Sequence, residues 1–426
     1  MRGSLPTLSY SSWMNRRHFL GLMTLAGASL AGCRFYPSEG LSNPCLAAGL
    51  PPALRNHDLI RQCWEGIDAG QFWDCHVHLA GLGDSDSGIW VNPEMRSLLH
   101  PVQYIQFRYY LDAACADEEE VGAHSSVDEA YVTRLQLLHR DFPPEARFML
   151  LAFDYYHDEA GRRDAQLSAF HVPNAYAQRV AADFAGFEWI ASIHPYREDS
   201  VETLAWCVQH GARAVKWLPG AMGIDPASPL CDRFYEAMAR HGIPLLSHAG
   251  KEYAISVEGG QGLNNPLLLR RPLERGVRVI LAHCASLGEY TDIDKGPEGP
   301  PVDSLSLFYR LAAEREFRGR IHGDLSAVTL VNRERTILER IYGREAFHEM
   351  LINGSDYPLP GIMPLISTQG FVAWGFLPQA EANVLVEIRR YNPLLYDFML
   401  KRRLGVNGAY LDPVAFHSRR VFSDAG

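Results

Sequence analysis

The sequence has no CxxC pair, although eight cysteines occur, at positions 33, 45, 63, 75, 115, 207, 231 and 284. That absence sets aside zinc-ribbon and thioredoxin-type readings. An excess of positive charge is also missing. Lys and Arg total 40 against 50 Asp and Glu, a formal net charge of −10, so nothing electrostatic calls for a nucleic-acid partner. A small anionic substrate stays open, because a local site can be basic on an acidic protein. The chain lacks low-complexity tracts and internal repeats, which excludes general disorder and solenoid architecture. What is present is ordinary globular composition, 47% hydrophobic and 21% charged over 426 residues. That length suits one large barrel or two ordinary domains and buries a sizeable core.

The N-terminus reads as an address. Arg16-Arg17 precedes an apolar run from Phe19 to Gly32, shorter than the roughly 20 residues that span a bilayer and suited to the core of an export signal. The paired arginines resemble a twin-arginine signal. The run ends Leu30-Ala31-Gly32-Cys33, which resembles a bacterial lipobox with Cys33 as the lipidated mature N-terminus; Met14 is a plausible start. The expectation is a periplasmic-face envelope protein whose only membrane contact is this lipid anchor. Residues 1–33 are then the signal, and 34–70 a tether, interrupted by Pro37, Pro44, Pro51 and Pro52, with a lead-in helix around Leu54 to Ile67. An oxidising envelope permits disulfides. Cys45 and Cys63 are the first pair to test, beside a reading of buried free thiols.

From residue 71 short apolar runs alternate with helical patterns. Strands are expected at Phe72–His78, Phe148–Asp154, Trp189–His194, Ala212–Leu218, Ile243–His248, Val277–His283, Arg320–Asp324 and Met350–Asn353. Eight such units predict an α/β fold, a (β/α)8 TIM barrel. Two decorations stand out. The stretch from about 80 to 145, with aromatic Tyr104–Tyr110 and acidic Asp117–Glu120, predicts a helical insertion over the barrel mouth. The tail after 360, strongest at Glu381–Arg403, predicts further helices.

The strand ends carry the chemistry. Strand one ends Asp74-Cys75-His76-Val77-His78; residues two apart point the same way, so His76 and His78 can converge. Strand four carries Lys216, strand five ends at His248, strand six at His283, and strand eight leads to Asp356. Each follows an apolar run at its C-terminal end, the face where barrel active sites lie. Imidazoles and a carboxylate gathered there suit Zn²⁺ or a similar divalent ion.

This ordered set, with the Lys216-Trp217-Leu218-Pro219 and Gly354-Ser355-Asp356-Tyr357-Pro358 forms, resembles the amidohydrolase superfamily of metal-dependent hydrolases, in particular its amidohydrolase-2 branch. The resemblance covers residues 71 to 360. It implies His76, His78, His248 and Asp356 as ligands of a first metal. It implies His283 as a second-metal ligand or an uncoordinated acid and electrophile, and Lys216 as either a carboxylated bridge between two ions or an unmodified amine beside one. One ion is the expectation. The implied activity is hydrolysis of an amide, ester or lactone of a small carbonyl substrate by metal-activated water, with Asp356 relaying the proton and His283 stabilising the oxyanion. Decarboxylation or hydration uses the same centre differently, and two ions would also admit phosphoester cleavage. An inactive lipid-anchored binding protein is the reading from another class; a homo-oligomer stays open.

Weaker candidates surround this set. Glu252, four residues after His248, reaches towards the metal's surroundings or the substrate, or is a solvated acid. His194 ends strand three, facing the pocket or bonded within the core. Lys251, Arg270 and Arg271 are possible carboxylate anchors against a plain charged face. Asp324 shapes the site or caps a loop, and Tyr155-Tyr156-His157 form a wall or pack. Trp217, alternating with Lys216, should face outward.

Overall fold

A computed structural model describes residues 39–46, 49–116, 126–255 and 257–422. The export signal with Arg16, Arg17 and Cys33, and the acidic run at 117–120, lie outside the described residues. All eight predicted strands are present: β1 (Trp73–His78), β2 (Arg147–Leu151), β3 (Phe187–Ile190), β4 (Val215–Trp217), β5 (Leu245–Ser247), β6 (Val279–Leu281), β7 (Ile321–Asp324) and β8 (Leu351–Ile352). They pair in parallel, β1–β2–β3 in one run and β4–β5–β6–β7–β8 in the other.

Two seams join the runs. Ala191 bridges Val215 in parallel, with Lys216 N donating to Ala191 O at 2.7 Å. Val77 bridges Tyr357, with Cys75 N donating to Asn353 O at 3.1 Å and His78 N to Tyr357 O at 3.0 Å. The sheet therefore closes on itself as a (β/α)8 barrel. Strands of such a barrel are buried on both faces and read as continuous apolar runs, which is why they were legible. Cys75, Met149, Leu151, Ile190, Ala214, Leu246, Ile280 and Ile352 plug its interior, and the larger core lies between sheet and helices.

The predicted insertion divides in two. Helix Val127–His139 is the barrel's first outer helix: Tyr131, Leu135 and Leu138 are buried on it, and Tyr131 donates to His78 O at 2.8 Å. The part over the mouth is shorter. It holds helix Pro101–Ala113 and a strand, Trp90–Val91, that pairs antiparallel with Phe170–His171 from the loop after β2.

The tail folds as helices Gln379–Tyr391 and Pro393–Arg403. Lys401 on the second is fully buried. Its Nζ donates to Gly354 O at 2.6 Å and to Asp397 Oδ2 at 2.5 Å, so the tail grips the loop after β8. Arg389 is likewise buried, paired with Glu39 at 2.6 Å and donating to the carbonyls of Pro360, Ile362 and Ile366. Within the segment expected as a tether, Glu39 pairs with Arg389 and Asn43 bonds Ala113 O.

The disulfide expectation is corrected. Cys45 bonds Cys115, with Cα atoms 5.5 Å apart, and Cys63 is a free thiol buried on helix Asp58–Trp64. Asn43 explains the choice. Its N donates to Asp112 Oδ2 at 3.3 Å and its Nδ2 to Ala113 O at 3.3 Å, which seats Cys45 at the end of helix Pro101–Ala113. The amphipathic turn at Leu59 and Cys63 points the other thiol into the core.

Candidate metal centre

The register of β1 against β2 shifts between Asp74 and Val77. The shift lets Cys75 join the interior plug while the next residue, His76, also turns inward. His76 Nε2 lies 3.2 Å from Lys216 Nζ and 3.4 Å from Asp356 Oδ1. His78 Nε2 lies 3.1 Å from the same oxygen. His76, His78 and Asp356 therefore present donor atoms to one point, and His76, His283 and Asp324 form a second such group. His283 Nδ1 is 4.0 Å from Asp356 Oδ2, and the His248 and His283 rings are 5.1 Å apart. In this side-chain arrangement His248 faces its own loop, with Nε2 3.1 Å from Gly250 O and Nδ1 3.5 Å from Glu252 Oε2.

Asp324, at the end of β7, organises the centre. Its carboxylate takes His76 Nδ1 at 2.9 Å, His283 N at 2.8 Å and Ser326 N at 3.0 Å. It also accepts from Ser326 Oγ. Burial alone would raise this carboxyl, but His76 and His283 hold it well below the usual carboxylate range. An ionised carboxylate only accepts, so His76 Nδ1 carries the hydrogen and Nε2 keeps its lone pair. The relay continues. Ser326 gives its hydroxyl hydrogen to Asp324, so His283 Nδ1, 2.7 Å from Ser326 Oγ and 3.2 Å from Ser326 O, is the donor there, and Nε2 of His283 is also a free lone pair. In that tautomer the outward nitrogen of His283 accepts rather than donates.

Burial pushes His78 down from its ordinary pKa and His283 to about 3. It also depresses His248, with His283 adding to the effect. These imidazoles are neutral near pH 7. Burial would raise Asp356, but His283, His76 and His78 outweigh it and keep it ionised. Neutral imidazoles around an ionised carboxylate are the donor set that a divalent metal needs; the residues fit the ion. Carboxylate behind imidazole, as at Asp324–His76, is the usual support of a metal-bound histidine. Burial lowers Lys216, against the pull of Asp324 and Asp356. The backbone is strained at this spot, with φ of 57° at His283, 52° at Cys284, 49° at Ala285 and 62° at Asp356. Such conformations persist where surrounding structure over-determines them, commonly at functional sites.

The centre floors a cavity holding about 940 Å³ free of protein atoms, its open mouth included, and lined by His76, His78, Lys216, His248, Glu252, His283 and Asp356. Polar groups converging at the C-terminal mouth of a closed barrel are the layout of an enzyme active site. Glu252 belongs to this lining, its carboxyl raised by burial. His194 does not: it is fully buried and its Nε2 turns to Met222 O at 2.9 Å. Arg270 pairs with Asp294 and Glu314, and Arg271 with Asp232, while Lys251 is exposed. None of the three lines the cavity. Tyr155 stacks on His171, outside the lining, and Trp217 packs outward against Phe234. Ser326 was not foreseen; its only sequence signal is its place two residues after Asp324.

No protein-family model matches the sequence, and no curated protein matches it. Among solved structures, the chain is similar to 5-carboxyvanillate decarboxylase from Sphingomonas paucimobilis (12% identity, 75% of this chain and 99% of that one, TM-score 0.42). It is also similar to 4-oxalomesaconate hydratase from Rhodopseudomonas palustris (15%, 78% and 98%, TM-score 0.38) and to an amidohydrolase II (14%, 74% and 96%, TM-score 0.37). At such identities and scores these likenesses carry no functional argument, and the chemistry has to come from the residues themselves.

Proposed function

We propose that the chain is a metal-dependent hydrolase of small carbonyl substrates, cleaving an amide, ester or lactone bond. The observation that carries this reading is the convergence of His76 Nε2 and His78 Nε2 on Asp356 Oδ1, at 3.4 and 3.1 Å, on the floor of a cavity at the barrel mouth. His76, His78 and Asp356 would hold one ion, with His248 joining them by a turn of its ring, and zinc suits the donor set. Bound there, the ion would supply Lewis acidity towards the substrate carbonyl and lower the pKa of a water to about 7.

The protein's own groups do the rest. Asp356, held ionised, accepts the proton of the attacking water and returns it to the leaving oxygen or nitrogen. Lys216, the one cation among the described residues of the lining, faces the charge that develops on the carbonyl oxygen. His283 offers a lone pair, as a further ligand or as a proton acceptor. Asp324 fixes the tautomers of His76 and His283. The apolar walls exclude water from the reacting atoms.

We propose separately, from the Arg16-Arg17 and Leu30–Cys33 sequence alone, a location in the bacterial cell envelope after twin-arginine export and lipidation at Cys33. The Cys45–Cys115 bond supports it, since structural disulfides belong to oxidising compartments. The test is metal content per chain alongside activity on a panel of esters, lactones and amides. One ion in the wild type and in Lys216→Ala, none in Asp356→Ala, and hydrolysis abolished by a chelator are the expected results. No ion under metal-replete conditions, or CO₂ as the product, overturns the proposal.

A further inference from the structure

The cavity separates sharply into a polar floor and an apolar wall. Every charged lining group sits on the barrel ends or the loop after β5: Lys216, Asp356 and Glu252. Above them the wall is built by Val91, Met95 and Phe107 from the insertion, Phe153 and Phe170 from the loop after β2, and Ile255. Among the described residues no arginine lines it, and the single lining cation, Lys216, lies on the floor with Nζ 3.2 Å from His76 Nε2, away from that wall. A buried arginine does lie nearby. Arg333, however, donates to Ser286 Oγ at 3.1 Å and Asn332 Oδ1 at 2.6 Å and stays outside the lining. The hydroxyl of Tyr110, in the same wall, is the one neutral polar side-chain group there among the described residues.

We infer that the substrate is uncharged away from its reacting carbonyl and carries an extended apolar body, aliphatic or aromatic, that lies against the insertion wall. This rests on the hydrolase reading and names the substrate class of that same site. A second carboxylate, carried on the body away from the carbonyl, would lie against an apolar wall where the described residues offer it no cation, in a cavity that already holds Asp356 and Glu252. Burying an unpaired charge so is strongly unfavourable. An apolar chain gains with every methylene removed from water. The insertion and the Trp90–Val91 ribbon thereby acquire a role: they are the specificity wall, and the barrel ends are the reacting floor.

The test uses inert carbonyl probes, so that it does not depend on turnover. Binding of methyl ketones from butan-2-one to decan-2-one to the metal-loaded full chain is measured by calorimetry. A parallel series ends each chain in a carboxylate, as (ω−1)-oxo acids of matched length. Affinity for the ketones is expected to rise about fourfold per methylene until the cavity is filled, and each acid to bind at least about a hundredfold more weakly than its ketone. Phe107→Arg, or Met95→Arg if the first variant does not fold, should narrow or reverse that gap by giving the carboxylate a partner. A flat ketone series, or acids binding as well as ketones, overturns the inference with the wild type alone. The two readings fail separately. A steep ladder with no ester, lactone or amide hydrolysed sinks the hydrolase proposal only, whereas hydrolysis confined to carboxylated substrates sinks this one only.

Discussion

Replacing Asp324 with Asn should weaken the metal centre without removing a ligand. The carboxylate accepts from His76 Nδ1, His283 N, Ser326 N and Ser326 Oγ. An amide keeps one acceptor oxygen, and the backbone donors of His283 and Ser326 both use Oδ1, so the oxygen is retained there. The new NH₂ then stands where Oδ2 was, 2.9 Å from His76 Nδ1. Two donors cannot face each other, so the imidazole shifts its hydrogen to Nε2. That puts a proton on the nitrogen that faces Asp356 and Lys216, where a lone pair is needed.

Losing such a supporting carboxylate typically costs about 10- to 100-fold in metal affinity, or about 1.4 to 2.7 kcal/mol at 1.36 kcal/mol per decade. The assay is zinc competition against a chromophoric chelator, with thermal melting to confirm the fold. Ser326→Ala is the graded control: it removes the hydroxyl that joins Asp324 to His283 and a 3.2 Å contact to His76 Nδ1, but keeps the 2.9 Å Asp324–His76 bond, so its loss should be smaller. An Asp324→Asn variant that folds and binds zinc within about twofold of wild type would refute the tautomer argument.

Two further outcomes follow from the fold. The Cys45–Cys115 bond spans 70 residues, so the paired Cys45→Ser, Cys115→Ser chain should lose about 4 kcal/mol of unfolding free energy on the chain-entropy model; urea titration with equal midpoints for both chains would contradict it. Burial pushes His194 and His322 from 6.5 down to about 3, so both are neutral in the fold and take up a proton on unfolding. Their contribution is complete above pH 6.5 and lost as pH falls towards 3, with a slope of up to about 2.7 kcal/mol per pH unit for the two together. Unfolding curves at pH 7, 6 and 5 should show this, and His322→Leu should remove about half of it; an unchanged slope argues against a buried neutral His322.

The barrel was legible because its strands are two-sided apolar runs that stop at a polar residue, a pattern independent of distant contacts. His78 is such a stop, His76 stands two residues before it within β1, and Asp356 follows β8 by four residues. Asp324 stops a strand too, yet its partner His76 lies 248 residues away, and a lone acid after a strand reads equally as a loop cap. His194 shows the converse. It ends β3's run, but its ring turns sideways to a backbone carbonyl, and nothing in residue type distinguishes that rotation. The partner of Cys45 was invisible because it is chosen by Asn43 gripping a helix end, while Cys63, closer in sequence, is turned away by helical periodicity. The insertion was overextended because a barrel's own outer helix and a helix above its mouth share one amphipathic signature.

The seam between β1 and β8 sets the order in which this molecule can become competent. His76 and His78 leave the ribosome among the first folded residues, whereas Asp356 sits on a loop beside Tyr357 that bridges back to Val77. Lys401, which holds Gly354 O, comes later still. A nascent chain that lacks its last quarter owns two histidines without their carboxylate and a barrel without its final two staves. The complete pocket is therefore a property of the finished polypeptide only. An ion would be captured after synthesis ends, in whatever compartment the protein completes its folding, and a truncated or stalled chain would not compete for scarce metal.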